Sequence, residues 1–223
     1  ALAFACCALR LAQVDGGLGS PRGPDRLLAR IDARPAATGA DAGDARRILR
    51  DRPVDGRAFR ALAMVAPIPG ERDRLLEIAV RRAPRDRIAR AALADRDFAS
   101  GDIDGAMAQV DALLRVAPAL QVPMLQRLLA LSADARGVRA FLRQRLATDP
   151  PWRTALPRAL SADGSDPARA LALLDDLAAA APLHEDEARL RVSLLRQGGR
   201  VAEARRAWLD GSPARARDPQ SRW

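Results

Sequence analysis

The stretch from Pro84 to Pro118 reads PRDRIARAALADRDFASGDIDGAMAQVDALLRVAP, and it decides the fold. Gly101 and Asp102 interrupt it near the middle, as expected for a turn between two helices. Apolar residues recur at helical spacing on both sides of that break. They are Leu93, Ala94 and Phe98 before it, and Ala106, Val110 and Leu113 after it. The stretch therefore predicts a helical hairpin.

The two boundary prolines lie 34 residues apart, which is the length of a repeating helical hairpin. A small residue is needed where two helices cross most closely, and Ala106 is predicted to occupy that place. A repeat of this kind is a binding surface, because its residues serve packing and supply no reacting groups.

Neighbouring segments repeat the pattern less clearly. Pro53 precedes Gly70 by 17 residues, as Pro84 precedes Gly101, so a first helix is predicted in each segment and a break at each glycine. Pro84 follows Pro53 by only 31 residues, and we expect the second helix of that segment to be three residues shorter.

Further helices are predicted beyond Pro118. Residues 122–131 and 138–146 form one expected pair, and Asp149-Pro150 and Asp166-Pro167 are both predicted helix starts. The five-residue step from Gly199 to Ala204 repeats the step from Gly101 to Ala106, and Trp208 continues that last stripe.

Composition agrees with an all-α chain, since Ala and Leu dominate and Tyr is absent. The predicted fold is a right-handed α-solenoid of antiparallel helical hairpins.

The net charge of +9 raises nucleic acid or an anionic membrane as a partner, yet all 37 basic residues are arginine and most alternate with acids. We interpret them as solvated helix faces, which disfavours nucleic acid.

The predicted domain layout has four parts: an apolar N-terminal segment 1–14, a Gly/Pro-rich linker with a short helix 15–44, the helical repeat domain 45–210 and a disordered tail 211–223. Within 36–43 we expect a loop, followed by a helix at 45–50. The first segment contains Cys6 and Cys7, which are adjacent and form no disulfide framework. It is interpreted as a remnant of a signal or membrane anchor, as a first solenoid helix, or as a lipoprotein signal.

Residues 45–209 resemble a tetratricopeptide-repeat array, with the Pro84–Pro118 unit the most specific. The order DRPVDGRAFRALA, RRAPRDRIARAALADRDFASGDIDGAMAQVDALLRVAP, DPPWRTALPRAL and LLRQGGRVAEARRAW is similar to a group of bacterial envelope proteins with a membrane anchor before the repeats. This resemblance implies a scaffold at the cell envelope, on the inner-membrane or periplasmic side, with cytoplasmic location as the alternative.

The sequence predicts no catalytic, cofactor-binding or metal-binding residues. The only histidine, His184, precedes Glu185, Asp186 and Glu187, and we interpret this cluster as the start of a helix.

Trp152 and Trp208 lie on apolar stripes and favour core packing, with an exposed partner-binding role as the alternative. The residues proposed to face a partner are Arg60, Arg90, Arg96, Asp97 and Trp152. The residues proposed to maintain repeat packing are Leu93, Ala94, Phe98, Gly101, Ala106, Pro118, Gly199, Ala204 and Trp208.

Three functions are open at this point. The first is a non-catalytic scaffold that binds a protein or peptide in its groove. The second is a helical regulatory part of an envelope polysaccharide synthesis or export system. The third is a basic helical repeat that binds nucleic acid, for which affinity would fall steeply with salt.

Overall fold

The computed structural model describes residues 24–32, 38–132, 136–162 and 166–211, and every regular element within these ranges is a helix. The all-α prediction is confirmed for them. The expected N-terminal segment 1–14, residues 15–23 and 33–37 of the linker and all of the tail beyond Gly211 lie outside the described residues.

The chain divides into two compact units, unit 1 ending at Leu120 and unit 2 beginning at Gln121. The described part of unit 1 has six α-helices: α1 (Pro24–Asp32), α2 (Gly39–Asp51), α3 (Gly56–Val65), α4 (Pro69–Arg82), α5 (Arg87–Ser100) and α6 (Ile103–Val116). A 3₁₀ turn, Pro118–Leu120, ends the unit. Helices next to each other in the chain pack against each other, most extensively α3 with α4 and α5 with α6.

The described part of unit 2 also has six α-helices: α7 (Gln121–Leu131), α8 (Arg136–Ala147), α9 (Leu156–Leu160), α10 (Pro167–Ala180), α11 (Glu185–Gln197) and α12 (Val201–Asp210). A 3₁₀ helix, Pro151–Ala155, precedes α9. Here α7 packs on α9 and α8 on α10, while α11 and α12 form a close hairpin.

The hairpin of α5 and α6 forms as the sequence predicts. The Asp86 carboxylate caps α5 by accepting hydrogen bonds from the backbone N–H groups of Ile88 and Ala89, both at 3.0 Å. Gly101 ends α5 with a left-handed backbone at φ 80°, which glycine adopts without a steric penalty. Ala106 is fully buried, as its predicted place at a close helix contact requires.

The backbone has nearly the same conformation at three places where one hairpin ends and the next begins. Arg52, Ala83 and Ala117 end α2, α4 and α6 with nearly equal torsions: φ −135°, −128° and −134°, and ψ 79°, 78° and 77°. Each residue precedes a proline, which disfavours helical torsions in the residue before it. The prolines predicted as unit boundaries therefore do mark equivalent positions.

The second glycine hairpin is also confirmed. Gly199 has φ 73° between α11 and α12, and Ala204 is fully buried five residues later, as Ala106 is after Gly101. These two glycines are the only ones with positive φ among the described residues. Trp208 is half-buried on α12, whereas Val201, expected on the same stripe, is 53% exposed.

Four of the nine proposed packing residues are buried, and these are Leu93, Ala94, Ala106 and Ala204. Leu93 and Ala94 are buried, Phe98 is half-buried, and Val110 and Leu113 are buried on α6. Pro118 is exposed, so it does not act by packing. It ends α6 because proline lacks a backbone N–H and disfavours helical torsions in the residue before it.

Three local predictions are wrong. Helix α2 begins at Gly39, where Thr38 and Asp41 form a capping box, and so replaces the loop expected up to 43. Gly70 is no break, because it lies in the first turn of α4. Asp149 is not an N-cap but a left-handed residue at φ 51°, and the helix after it starts at Pro151.

The shortening of the 31-residue unit lies in its first helix and not, as expected, in its second. Helix α3 has 10 residues against 14 in α5, while α4 and α6 both have 14. Pro67 and Pro69 explain this, since Ala66 and Ile68 before them have extended ψ angles of 124° and 120°.

Candidate interaction groove

An open groove of about 430 Å³ lies in unit 1, between the end of α3, the start of α4 and the middle of α5. Its position follows from the proline-rich turn described above, because the early end of α3 leaves space beside α5. Two alanines, Ala91 and Ala92, contribute little volume where α5 faces this space. The groove is therefore a consequence of short side chains on α5 and a short α3.

The floor of the groove is apolar. Met64 of α3, Leu76 of α4 and Ile88 of α5 line it together with the two alanines. Leu76 is 1% exposed and belongs to the core, whereas Met64 and Ile88 are half-buried and accessible from the groove. A partner can therefore bury apolar surface here without unfolding the hairpins.

Two prolines extend the apolar lining at one end of the groove. Pro67 and Pro69 both line it. Ile68 between them is 61% exposed, the highest value among the large apolar side chains of the described residues, but it is not among the residues that line the groove.

Charged side chains form the rim, with Arg72 and Asp73 on α4 opposite Asp95 and Arg96 on α5. Arg96 donates to Asp97 at 2.8 Å and to Glu77 at 3.1 Å. Burial alone would lower the pKa of Arg96, but its hydrogen bonds to those carboxylates outweigh burial and raise the pKa. Its charge is therefore already compensated.

Arg72 differs from Arg96. Its side chain is exposed, and it forms no ion pair or side-chain hydrogen bond with any described residue. It is the rim cation that is available to an acidic group of a partner.

Arg60, proposed to face a partner, is in fact buried. It is 4% exposed and joins three elements, donating to Asp86 at 2.8 Å and to Asp32 at 2.5 Å. Burial alone would lower the pKa of Arg60, but the charges of Asp86 and Asp32 raise it. The prediction for Arg60 is wrong because its acids come from α1 and from the cap of α5, which are distant in sequence.

The other proposed partner-facing residues have different environments. Asp97 is 4% exposed and paired with Arg96, so it too is structural. Arg90 is half-buried and donates to the Pro84 carbonyl at 2.6 Å and to Gln109 at 2.9 Å; burial lowers its pKa. Only Arg96 lines the groove among the five proposed residues.

Trp152, proposed as an exposed anchor, is fully buried in unit 2, as the core interpretation predicted. Its neighbour Arg153 was not singled out, yet it is 1% exposed and donates to both carboxylate oxygens of Glu187, at 2.8 and 2.6 Å. Further hydrogen bonds go to the carbonyls of Pro182 and Leu146. The hydrogen bonds to Glu187, which outweigh burial, raise the pKa of Arg153.

His184 begins α11, as predicted from the acidic residues after it. Its backbone N–H donates to the Glu187 carboxylate at 2.8 Å in a capping box, and its Nε2 lies 2.9 Å from an oxygen of Asp149. No group of three or more potential metal ligands occurs in the part of the chain that the structure describes.

The sequence matches no protein-family model, and no curated protein is significantly similar to it. Within the described ranges, no helix has the length and apolarity required to cross a bilayer.

Proposed function

We propose that this protein is a non-catalytic interaction scaffold, in which tetratricopeptide-like hairpins stack as a right-handed α-solenoid and hold a peptide segment of a partner protein. The observation that carries the proposal is the apolar groove between α3, α4 and α5, which is lined by Met64, Ile88 and two alanines. The equivalent backbone torsions at Arg52, Ala83 and Ala117 support the repeat.

The occupant that fits the groove is a short segment with one apolar side chain followed by an acidic residue. The apolar side chain would lie on Met64 and Ile88. The carboxylate would pair with Arg72, which has no acidic partner among the described residues. A cavity of about 430 Å³ holds a few side chains and not a folded domain.

Cell-envelope location is part of this proposal, and it rests on the resemblance of the four quoted segments to envelope-anchored repeat proteins. A role within envelope polysaccharide synthesis or export would supply the partner. Fractionation of source cells with an antibody to this chain tests location, and recovery only in the cytosolic fraction would contradict it.

The binding claim is tested by selecting peptides from a random display library against the full chain. Selected peptides are expected to share an apolar residue followed by Asp or Glu. For the best peptide, Met64→Ser should weaken binding at least about fivefold, because Met64 lines the groove and a contact worth roughly 1 kcal/mol is lost. Ala92→Leu, which fills the groove from α5, should weaken binding as much, by fluorescence anisotropy.

Val54→Ser is the matched control, since Val54 is 60% exposed in the turn before α3 and does not line the groove. It should leave the peptide affinity unchanged. A library that yields no peptide above background, or equal losses in Val54→Ser and Met64→Ser, would contradict the proposed function.

A further inference from the structure

A second cavity, of about 630 Å³, lies within unit 2 beside α9. Helix α9 has only five residues, and it packs against both α7 and α11. These three helices and the 3₁₀ helix before α9 line the cavity together. Its volume is in the range of small-molecule sites. The groove of unit 1 shares no residue with it.

Arg158 of α9 gives the cavity a cation that no described residue neutralises. Its side chain is exposed and lines the cavity, and it forms no ion pair or side-chain hydrogen bond within the described ranges. The hydroxyl of Ser161, three residues later, lines the same cavity and has no hydrogen-bond partner among the described residues. A guanidinium group with unoccupied N–H donors fits a carboxylate, which accepts two of them in parallel.

Helix α11 gives the cavity an acid, Asp186, and a second arginine, Arg189. Arg189 lies 2.7 Å from a carboxylate oxygen of Glu185 and 3.2 Å from one of Asp186. The hydrogen bond to Glu185 raises the pKa of Arg189. Two acids therefore surround one arginine on this helix. The Asp186 side chain is 72% exposed, and its carboxylate can accept further hydrogen bonds besides the one from Arg189.

Two apolar side chains complete the lining that a ligand can contact. Pro157 of α9 and Leu190 of α11 both line the cavity, and both are half-buried. An aliphatic group can bury apolar surface against them. The cavity therefore offers a cation, an anion and an apolar surface to one ligand.

We propose that this cavity binds a free α-amino acid with an aliphatic side chain. The carboxylate of the amino acid would pair with Arg158, and its ammonium group would pair with Asp186. Its side chain would lie on Pro157 and Leu190. This small-molecule site is separate from the peptide groove, so the two proposals can fail independently.

Phosphate and other multiply charged anions fit this cavity less well. The charges of Arg158 and Arg189 are balanced by those of Glu185 and Asp186, so the site as a whole does not attract a dianion. A ligand that is itself neutral but carries both charges matches such a balanced site. An α-amino acid near neutral pH is a zwitterion of this kind.

The test titrates the full chain with L-leucine and follows binding by saturation-transfer difference NMR. Three analogues each lack one group: 4-methylpentanoate has no ammonium group, 3-methylbutylamine has no carboxylate and glycine has no side chain. L-Leucine should bind with a Kd of about 1 mM or lower, at least about fivefold more tightly than each analogue. Inorganic phosphate at equal concentration should not displace it.

Two single variants assign the charged contacts. Arg158→Gln and Asp186→Asn should each weaken L-leucine binding at least about fivefold. The matched controls are Arg205→Gln on α12 and Asp104→Asn in the first turn of α6, since both residues are exposed and neither lines the cavity. Each control should change the affinity less than about twofold.

Three results would overturn the proposal. The first is no L-leucine binding up to about 10 mM, and the second is equal binding of any analogue. The third is an equal loss in Arg158→Gln and Arg205→Gln, which would mean that net charge and not this cavity determines the affinity. Displacement by phosphate would likewise contradict it, because the site would then be one for anions in general.

Discussion

Ala106 has no exposed surface, and its methyl group packs where α6 lies against α5. Replacing it with Leu inserts three carbon atoms into a packed interface, so Ala106→Leu should lower the free energy of unfolding by about 1–3 kcal/mol. Urea denaturation followed by circular dichroism measures this. Ala108→Leu is the control, because Ala108 is exposed on the same helix. Equal stability of Ala106→Leu and the parent would contradict the repeat alignment.

Gly101 and Gly199 occupy left-handed conformations, with φ angles of 80° and 73°. An L-residue there costs roughly 1–2 kcal/mol, so Gly101→Ala and Gly199→Ala should each reduce the unfolding free energy by about that amount. Gly43→Ala should instead be neutral or stabilising, since Gly43 lies within α2 and the space that a Cβ would occupy is open. Thermal denaturation compares the three. A destabilised Gly43→Ala with unaffected Gly101→Ala would show that the assigned helix end is wrong.

At the residue scale, sequence reasoning was reliable where a residue type has one local meaning. The cap at Asp166 and the break at Gly101 were predicted and form, whereas Asp149, predicted as a cap from the same Asp-Pro pattern, is not one. It was unreliable for arginine, because an arginine side chain can either lie in solvent or form buried ion pairs that connect helices. Arg60 is buried only because Asp32 and Asp86 meet it in space.

Between elements, the Arg153–Glu187 pair links the 3₁₀ helix before α9 to the start of α11 and, through the Leu146 carbonyl, to the end of α8. Arg153→Met alone leaves Glu187 buried without its cation, and should cost about 3–5 kcal/mol of unfolding free energy. The double variant Arg153→Met/Glu187→Leu should recover much of that loss, because no uncompensated charge remains.

Guanidinium chloride denaturation of the parent, single and double variants measures this coupling. An exposed pair, Arg189 and Glu185, provides the control: Arg189→Met should cost far less unfolding free energy than Arg153→Met, because water screens the exposed pair. A double variant no more stable than Arg153→Met would indicate that the hydrogen bonds to the carbonyls, and not the ion pair, maintain this junction.

Element order was predictable from the sequence more accurately than element length. Prolines and glycines set the hairpin boundaries, so α5, α6, α10 and the turn before α12 lie where the pattern placed them. The length of α3 was not predictable from the 31-residue spacing alone, because that spacing does not say which helix loses residues. Its cause, the pair Pro67 and Pro69, was present in the sequence but was interpreted as a break that included Gly70.

For the molecule as a whole, the groove could not be predicted from the pattern. It forms where three elements of unit 1 meet, and its small floor residues, Ala91 and Ala92, look like ordinary helix formers in the sequence. Sequence reasoning selected Arg60 and Asp97 as partner-facing residues, but both are buried and their charges are paired within the protein. It did not single out Arg72, which lines the groove.

The most direct test of the scaffold account is amide hydrogen exchange, followed by mass spectrometry, of the full chain with and without the selected groove peptide. The account predicts slower exchange in residues 64–76 and 88–96, which line the groove, and unchanged exchange in α11 and α12. Protection confined to other segments, or no protection at saturating peptide, would contradict the claim that this groove is where the protein holds its partner.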